Sequence, residues 1–262
     1  MIEIVLTAAF VFIISLIFSM FGKGGGELYL PVMLTLLNIA FYTAAGVSLF
    51  LIFIQSISMI FVYSQKHKLV DWKVALLLAA VVGASSFLGG FVSGDISALY
   101  LKVTFAVFLI ISAFLLFLNK GMKVRLGKFG VWHRRFSGGE YDVHILYLIL
   151  PIMAAAFLAG MVGISGGGLI VPIAVLLGGM PIRIAMGTNT FLVLASSSMG
   201  FLGHVAKGGV DWYLCAVFGI AIVAGSQIGS RMHAKVGEKS LRIGLALILI
   251  FAALWMILRV VA

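Results

Sequence analysis

The sequence predicts an all-α membrane protein of ten transmembrane segments, arranged as two inverted five-helix repeats with glycine-broken helices in each. Three observations predict it: a composition too apolar for a soluble domain, ten apolar runs in two sets of five, and a glycine-rich stretch written twice.

Hydrophobic residues make up 63% of the chain and charged residues 10%, against roughly 25% charged in an ordinary soluble domain. Mean hydropathy is +1.24. The net charge of +10 does not point to nucleic acid, because the basic residues lie between apolar runs and form no stripe interleaved with exposed aromatics. Cys215 stands alone, which excludes an intrachain disulfide and a cysteine-based metal cluster. No metal, nucleotide or covalent cofactor is expected, and no phosphate loop ending in Gly-Lys-Ser/Thr is written. The apolar N-terminus carries Glu3 where a signal peptide has basic residues, so it reads as a retained helix.

Apolar runs fall at about 4–21, 27–41, 43–63, 72–93 and 99–118, then at 144–162, 168–180, 184–205, 211–231 and 241–260. Most approach the roughly 20 residues that span a bilayer, while the second of each five is short. Residues 119–142 are polar and carry Lys120, Lys123, Arg125, Lys128, Arg134 and Arg135. The chain therefore divides into a first membrane repeat (1–118), a basic linker (119–142) and a second repeat (143–262), integrated in one transmembrane domain.

A shift of 141 positions superposes Gly22, Gly25, Gly26, Leu28 and Pro31 on Gly163, Gly166, Gly167, Leu169 and Pro172. The same shift matches Ala44, Gly46, Phe50 and Leu51 with Ala185, Gly187, Phe191 and Leu192. After a one-residue slip, Asp71-Trp72 pairs with Asp211-Trp212 and Gly89 with Gly229. Glycine, proline and Asp-Trp matches in one register indicate an internal duplication. If all ten segments cross, 15 of the 18 basic residues share one side, leaving Lys102, Lys207 and Arg259 opposite. If the short segments merely dip in and return, the division is 11 to 7. The positive-inside rule favours ten crossings, with a cytoplasmic linker and both termini outside. Five crossings per half invert one half against the other, which is the plan of secondary transporters with a midplane site at discontinuous helices.

The repeated stretch reads Gly22-Lys23-Gly24-Gly25-Gly26-Glu27-Leu28-Tyr29-Leu30-Pro31 and Gly163-Ile164-Ser165-Gly166-Gly167-Gly168-Leu169-Ile170-Val171-Pro172. Each copy cuts an apolar run, with a new helix starting before the proline. Unwound backbone persists in hydrocarbon only where protein or a wet cavity surrounds it. A helix starting there presents N–H groups and a positive dipole end, an anion site that needs no charged side chain. Gly24, Gly25, Gly26, Ser165, Gly166, Gly167 and Gly168 are accordingly the candidate anion-binding residues, converging on a central cavity; close helix packing is the competing reading. Ser48, Thr188 and Asn189 would finish the anion's hydrogen bonds, or else bond to their own helix backbone. Glu27 is the acidic residue at membrane depth, a candidate for proton coupling, unless it simply pairs with Lys23. His204 is either part of a proton path or structurally bonded. Packing accounts for Gly46, Gly89, Gly187 and Gly229, and helix capping for Asp71 and Asp211.

At these residues the chain resembles the sulfite exporter (TauE/SafE) family of bacterial transporters. The resemblance covers nearly the whole chain: two glycine-rich motifs, each followed by a proline, and a later element in each half, Ala44-Ala45-Gly46-Val47-Ser48 and Ala185-Met186-Gly187-Thr188-Asn189. It implies export of a small sulfur-containing anion, sulfite or an organosulfonate, across the plasma membrane, driven by an ion gradient and without enzymatic activity. The partners expected are that anion, the lipid bilayer and a second copy of the chain in a homodimer. Two departures make the half-sites unequal: Glu27 stands opposite Gly168, and Val47 opposite Thr188. A passive anion channel would use the same helix ends. Gly163-Ile164-Ser165-Gly166 also spells the motif of rhomboid-type intramembrane proteases, with Ser165 as nucleophile and His204 as base.

Overall fold

The computed structural model describes residues 2–118, 130–136, 139–233 and 237–261. Among them run α1 (Ile2–Ser19), α2 (Gly26–Leu36), α3 (Phe41–Phe61), α4 (Trp72–Ser93) and α5 (Ala98–Leu118). A hairpin of β1 (Val131–Phe136) and β2 (Gly139–His144) follows. The chain continues through α6 (Ile145–Val162), α7 (Gly167–Leu176), α8 (Ile182–Ala206), α9 (Trp212–Met232) and α10 (Glu238–Val261). This is a helical membrane protein, because in hydrocarbon a backbone must satisfy its own polar groups. Among the described residues, six helices are long and apolar enough to cross a bilayer: α1, α3 with the π-turn Val62–Lys66 that extends it, α4, α5, α6 and α9. The short α2 and α7 have 11 and 10 residues, so each is about 15 Å long, half a hydrocarbon core.

The helices begin and end where the sequence carries the signals. Asp71 caps α4, accepting from the N–H groups of Lys73 (3.2 Å) and Val74 (3.4 Å), and Asp211 caps α9 by accepting from Leu214 N–H (3.1 Å). Pro31 and Pro172 lie inside α2 and α7. Lacking an N–H, each proline leaves the carbonyl four residues back, Glu27 or Gly168, without its helical partner.

The hairpin is a departure from the all-α expectation. Part of the expected linker, residues 119–129 and 137–138, including Lys120, Lys123, Arg125 and Lys128, lies outside the described residues. The remainder pairs antiparallel, Val131 opposite His144 through Phe136 opposite Gly139. Alternation lays Trp132, Arg134 and Phe136 half-buried on one face and exposes the residues between them.

α4 packs on α6 and α8, α9 on α1 and α3, and α5 on α10, while α3 and α8 pack on each other. Glycines let these helices approach. A Cβ on Gly89 would run into the Phe157 carbonyl, one on Gly229 into the Leu16 carbonyl, and one on Gly46 into the Gly209 carbonyl, so these glycines serve packing.

One end of the bundle gathers the α3–α4 turn, the hairpin, the start of α8 and the end of α9. There Asp71 N–H donates to Thr188 Oγ1 (3.1 Å), the Arg134 guanidinium grips the Asp71 carboxylate (2.7 and 2.9 Å), and His67 Nε2 donates to the Ser230 carbonyl (3.0 Å). At the opposite end Lys207 pairs with Asp95 (2.9 Å), and the Tyr42 hydroxyl donates to the His204 carbonyl (3.4 Å).

Candidate functional site

Both glycine stretches are breaks. α1 ends at Ser19 and α2 starts at Gly26; α6 ends at Val162 and α7 starts at Gly167. Gly22 (φ +65°) and Gly163 (φ +82°) make the turns in left-handed backbone, which glycine adopts without steric cost.

A helix cut inside the bundle strands carbonyls at its end, and neighbouring side chains take them up. The Tyr63 hydroxyl donates to the Ser19 carbonyl (2.9 Å) and His204 Nε2 to the Gly160 carbonyl (3.1 Å). These two pairs are equivalent under the 141-residue shift. His204 is thus structurally bonded. The turns are tied across the halves as well: Ser48 Oγ donates to the Gly163 carbonyl (2.8 Å), and Asn189 Nδ2 to the Gly22 carbonyl (3.0 Å). Ser48 and Asn189 are also equivalents, as are Gly163 and Gly22. Each half therefore holds the other's break by the same bond, and Thr188 accepts from Asp71 instead of facing a break.

The breaks meet in contact. A Cβ on Gly26 would lie 3.0 Å from the Gly163 carbonyl and 3.1 Å from Ile164 Cα. Every residue of Gly22–Glu27 and Gly163–Gly168 is buried, so the expected central cavity is here a closed, packed junction. Gly25 N–H donates to Gln55 Oε1 (3.3 Å), which also accepts from the Tyr29 hydroxyl (2.9 Å), and Ile52 covers Gly24 and Gly26. Gln55 Nε2 returns to Ser19 Oγ (2.9 Å). At the start of α2 the Gly25 N–H is thereby taken up within its own half, while the N–H groups of Gly26 and Glu27 find no acceptor among the described residues.

The start of α7 differs in the polar side chains that surround it. Among the described residues, the N–H groups of Gly167 and Gly168 find no acceptor. Around them stand polar atoms that are buried and without a hydrogen-bond partner among those residues: Ser165 Oγ and Asn189 Oδ1. A Cβ on Gly167 would meet Asn189 Nδ2 at 2.7 Å and Lys23 Cβ at 3.0 Å. One on Gly168 would meet Ser112 Oγ at 3.1 Å, Lys23 Nζ at 3.3 Å and Glu27 Oε1 at 3.4 Å. Lys23 and Glu27 are paired (2.5 Å), both fully buried, and Glu27 Oε2 has no partner among the described residues. The expected pairing of Glu27 with Lys23 is present.

The structure thus brings Gly167, Gly168, Ser165, Asn189 and Glu27 together, and adds Lys23 and Ser112. Sequence reasoning treated Lys23 as a loop cation and a partner for Glu27, and passed over Ser112, a hydroxyl within an apolar run that donates to the Phe108 carbonyl (2.7 Å). His204 is elsewhere. It follows Asn189 by 15 positions on α8, about 22 Å at 1.5 Å per residue, so Ser165 and His204 form no nucleophile–base pair.

A multi-pass helical bundle whose cut helices start at a buried polar junction defines a membrane transporter. The sequence comparisons agree. The chain belongs to the sulfite exporter TauE/SafE family, whose model matches residues 7–256. It is 29% identical over 234 residues to the "Probable membrane transporter protein YunE" of Bacillus subtilis, covering 84% of each chain. A "Probable membrane transporter protein" of Methanocaldococcus jannaschii is 28% identical over 262 residues, covering 94% of this chain and 92% of its own. The "Sulfite exporter TauE/SafE family protein 1" of Arabidopsis thaliana shares 36% identity over 107 residues, 40% of this chain and 23% of its own. No solved structure matches.

Proposed function

We propose that this transporter exports a small sulfur-containing anion, sulfite or an organosulfonate, by alternating access at the junction of the two breaks. The observation that carries the reading is the start of α7: free N–H groups at Gly167 and Gly168, with Ser165 and Asn189 unsatisfied beside them among the described residues. Such a helix start attracts negative charge, and unsatisfied buried polar groups are costly unless something completes them. Gly24, Gly25, Gly26 and Gly166 shape the junction, with Ser48 and Asn189 tying its turns from the neighbouring helices, while Thr188 bonds to Asp71 at the end of the bundle.

Ten crossings in two opposed repeats are part of the proposal, and the packing supports them. Exchanging the halves maps α4 on α6 and α8 onto α9 on α1 and α3, and maps α5 on α10 onto itself. Equivalent helices also run in opposite directions: α4 starts at the Asp71 end, while α9 starts beside Gly46, near the Lys207 end. In this reading the Asp71 end and the linker face the cytoplasm, both termini lie outside, and the membrane is the plasma membrane.

The closed junction favours a transporter over an open channel. Reconstitution in proteoliposomes tests this: sulfite or a sulfonate is expected to move, faster with a pH gradient imposed, and accumulation against its own gradient separates carrier from channel. Gly167→Ala, whose Cβ would press on Asn189 Nδ2, is expected to lower flux at least about tenfold while the protein stays folded. Unchanged flux in that variant contradicts the site.

A further inference from the structure

We infer that the Glu27 carboxylate holds the place of the transported anion on Lys23, and that loading exchanges one for the other as Glu27 takes up a proton. This deepens the transporter reading above and rests on it.

Lys23 and Glu27 form a fully buried ion pair, each 0% exposed. Removing two charges from water costs more than a simple contact returns unless further hydrogen bonds complete both groups, and inside a membrane such residues are retained for function. Here they are not completed. Among the described residues the Lys23 ammonium, with three donors, has Glu27 Oε1 as its one anionic contact and the Phe18 ring at 5.3 Å, and Glu27 Oε2 has no hydrogen bond. A structural ion pair would be expected to saturate its lone pairs and protons; this one leaves them open on the side of α7.

The repeat sharpens the point. Lys23 is equivalent to Ile164 and Glu27 to Gly168, so a junction whose turns are tied by reciprocal bonds holds one cation and one built-in carboxylate. Gly168 lacks a side chain just where Lys23 Nζ and Glu27 Oε1 lie, each within 3.4 Å of the position its Cβ would take. An oxyanion set between Lys23 Nζ and the free N–H groups of Gly167 and Gly168 would meet the donors that Glu27 now uses only in part. Both anions cannot sit on Lys23 together, because a second negative charge at contact distance is strongly disfavoured in a low dielectric. Glu27 therefore accepts a proton as the substrate binds and returns it as the substrate leaves, so one proton travels with each anion. The groups facing the pair are Ser112 from α5, Asn189 from α8, Gln55 from α3 and the Tyr29 hydroxyl of α2. Among these, only Tyr29 titrates.

The test uses the whole chain in detergent, with a sulfonate whose charge does not change over the pH range, followed by calorimetry. In the wild type the apparent affinity falls about tenfold per pH unit once Glu27 has lost its proton. Glu27→Gln binds at every pH with the affinity the wild type shows in acid, and Lys23→Met loses about 30-fold or more. The double variant Lys23→Met/Glu27→Gln removes both charges, so no buried ion is stranded; it remains folded and binds as poorly as Lys23→Met. A wild-type pH slope persisting in Glu27→Gln, or wild-type affinity in the double variant, overturns the inference and leaves the transporter reading intact. A wild type that neither binds nor moves sulfite, sulfonate or sulfate overturns both.

Discussion

Asn189 and Ser48 show how much one hydrogen bond does at a cut helix. Each donates to the turn carbonyl of the opposite half, Gly22 or Gly163, in a buried setting. Removing the donor leaves a carbonyl with no water to replace it, which costs about 1–3 kcal/mol. Asn189→Ala and Ser48→Ala are therefore each expected to lower stability by that amount, read from unfolding in detergent. If both variants are as stable as the wild type, the ties are incidental. The residues themselves were legible in the sequence, because glycine, proline and a polar side chain inside an apolar run are local signals. Their partners were not: the bonds join positions 115 and 167 apart, and only the packed bundle sets such contacts. Ser48 and Asn189 were thus picked out for an anion, yet their donors serve the backbone; of the two side chains, Asn189 alone keeps an unsatisfied atom, Oδ1, beside the α7 start.

At the scale of elements, the hairpin and the ends of α1 and α9 close one mouth of the bundle. Arg134 and Tyr141 from the hairpin both reach the Asp71 carboxylate at the start of α4. Burial pushes the Asp71 carboxyl up, but the hydrogen bonds from Arg134 and Tyr141 and the Arg134 charge outweigh it and hold the group below its ordinary value. With the folded value depressed, the stability this contact supplies is present at neutral pH and lost only in strong acid, as pH falls through the folded value. Arg134 is 11% exposed, so Arg134→Ala is expected to cost no more than the low end of the about 3–5 kcal/mol seen for breaking a buried pair. Wild-type stability in that variant would show the hairpin to be only draped there. Charge alone marked this stretch as a linker, although the alternation of Trp132, Arg134 and Phe136 carried a strand signal.

His233 belongs to the same mouth. Its Nδ1 donates to the Met20 carbonyl at the end of α1 (2.7 Å), and burial pushes the imidazole down to about 4 from an ordinary 6.5, with the Arg183 and His67 charges adding to the fall. Between those values the unfolded chain binds a proton that the folded chain refuses, so stability declines as pH falls from about 6.5 to about 4. His233→Gln keeps a donor for Met20 and removes the titration. Its unfolding temperature is expected to change less between about pH 7 and about pH 5 than that of the wild type; an equal change would place the acid sensitivity elsewhere.

Over the whole molecule, the 141-residue register was readable because it carries glycines and prolines that an apolar alphabet does not supply by chance. What the register could not convey is reciprocity: Gly22 lies against the Met186 carbonyl and Gly163 against Ala45 Cα, which are again equivalents. Lys66 and Lys207 are equivalent positions too, near opposite ends of the bundle. The buried Cys215 leaves the chain quiet toward thiol reagents, so Lys66→Cys and Lys207→Cys can be labelled one at a time in sealed, right-side-out vesicles with an impermeant maleimide. Two opposed repeats predict that the Lys207→Cys thiol reacts from outside and the Lys66→Cys thiol only after the membrane is opened. Both sites reacting from the same side would contradict the inverted arrangement, and with it the meeting of two cut helices from opposite faces on one anion site.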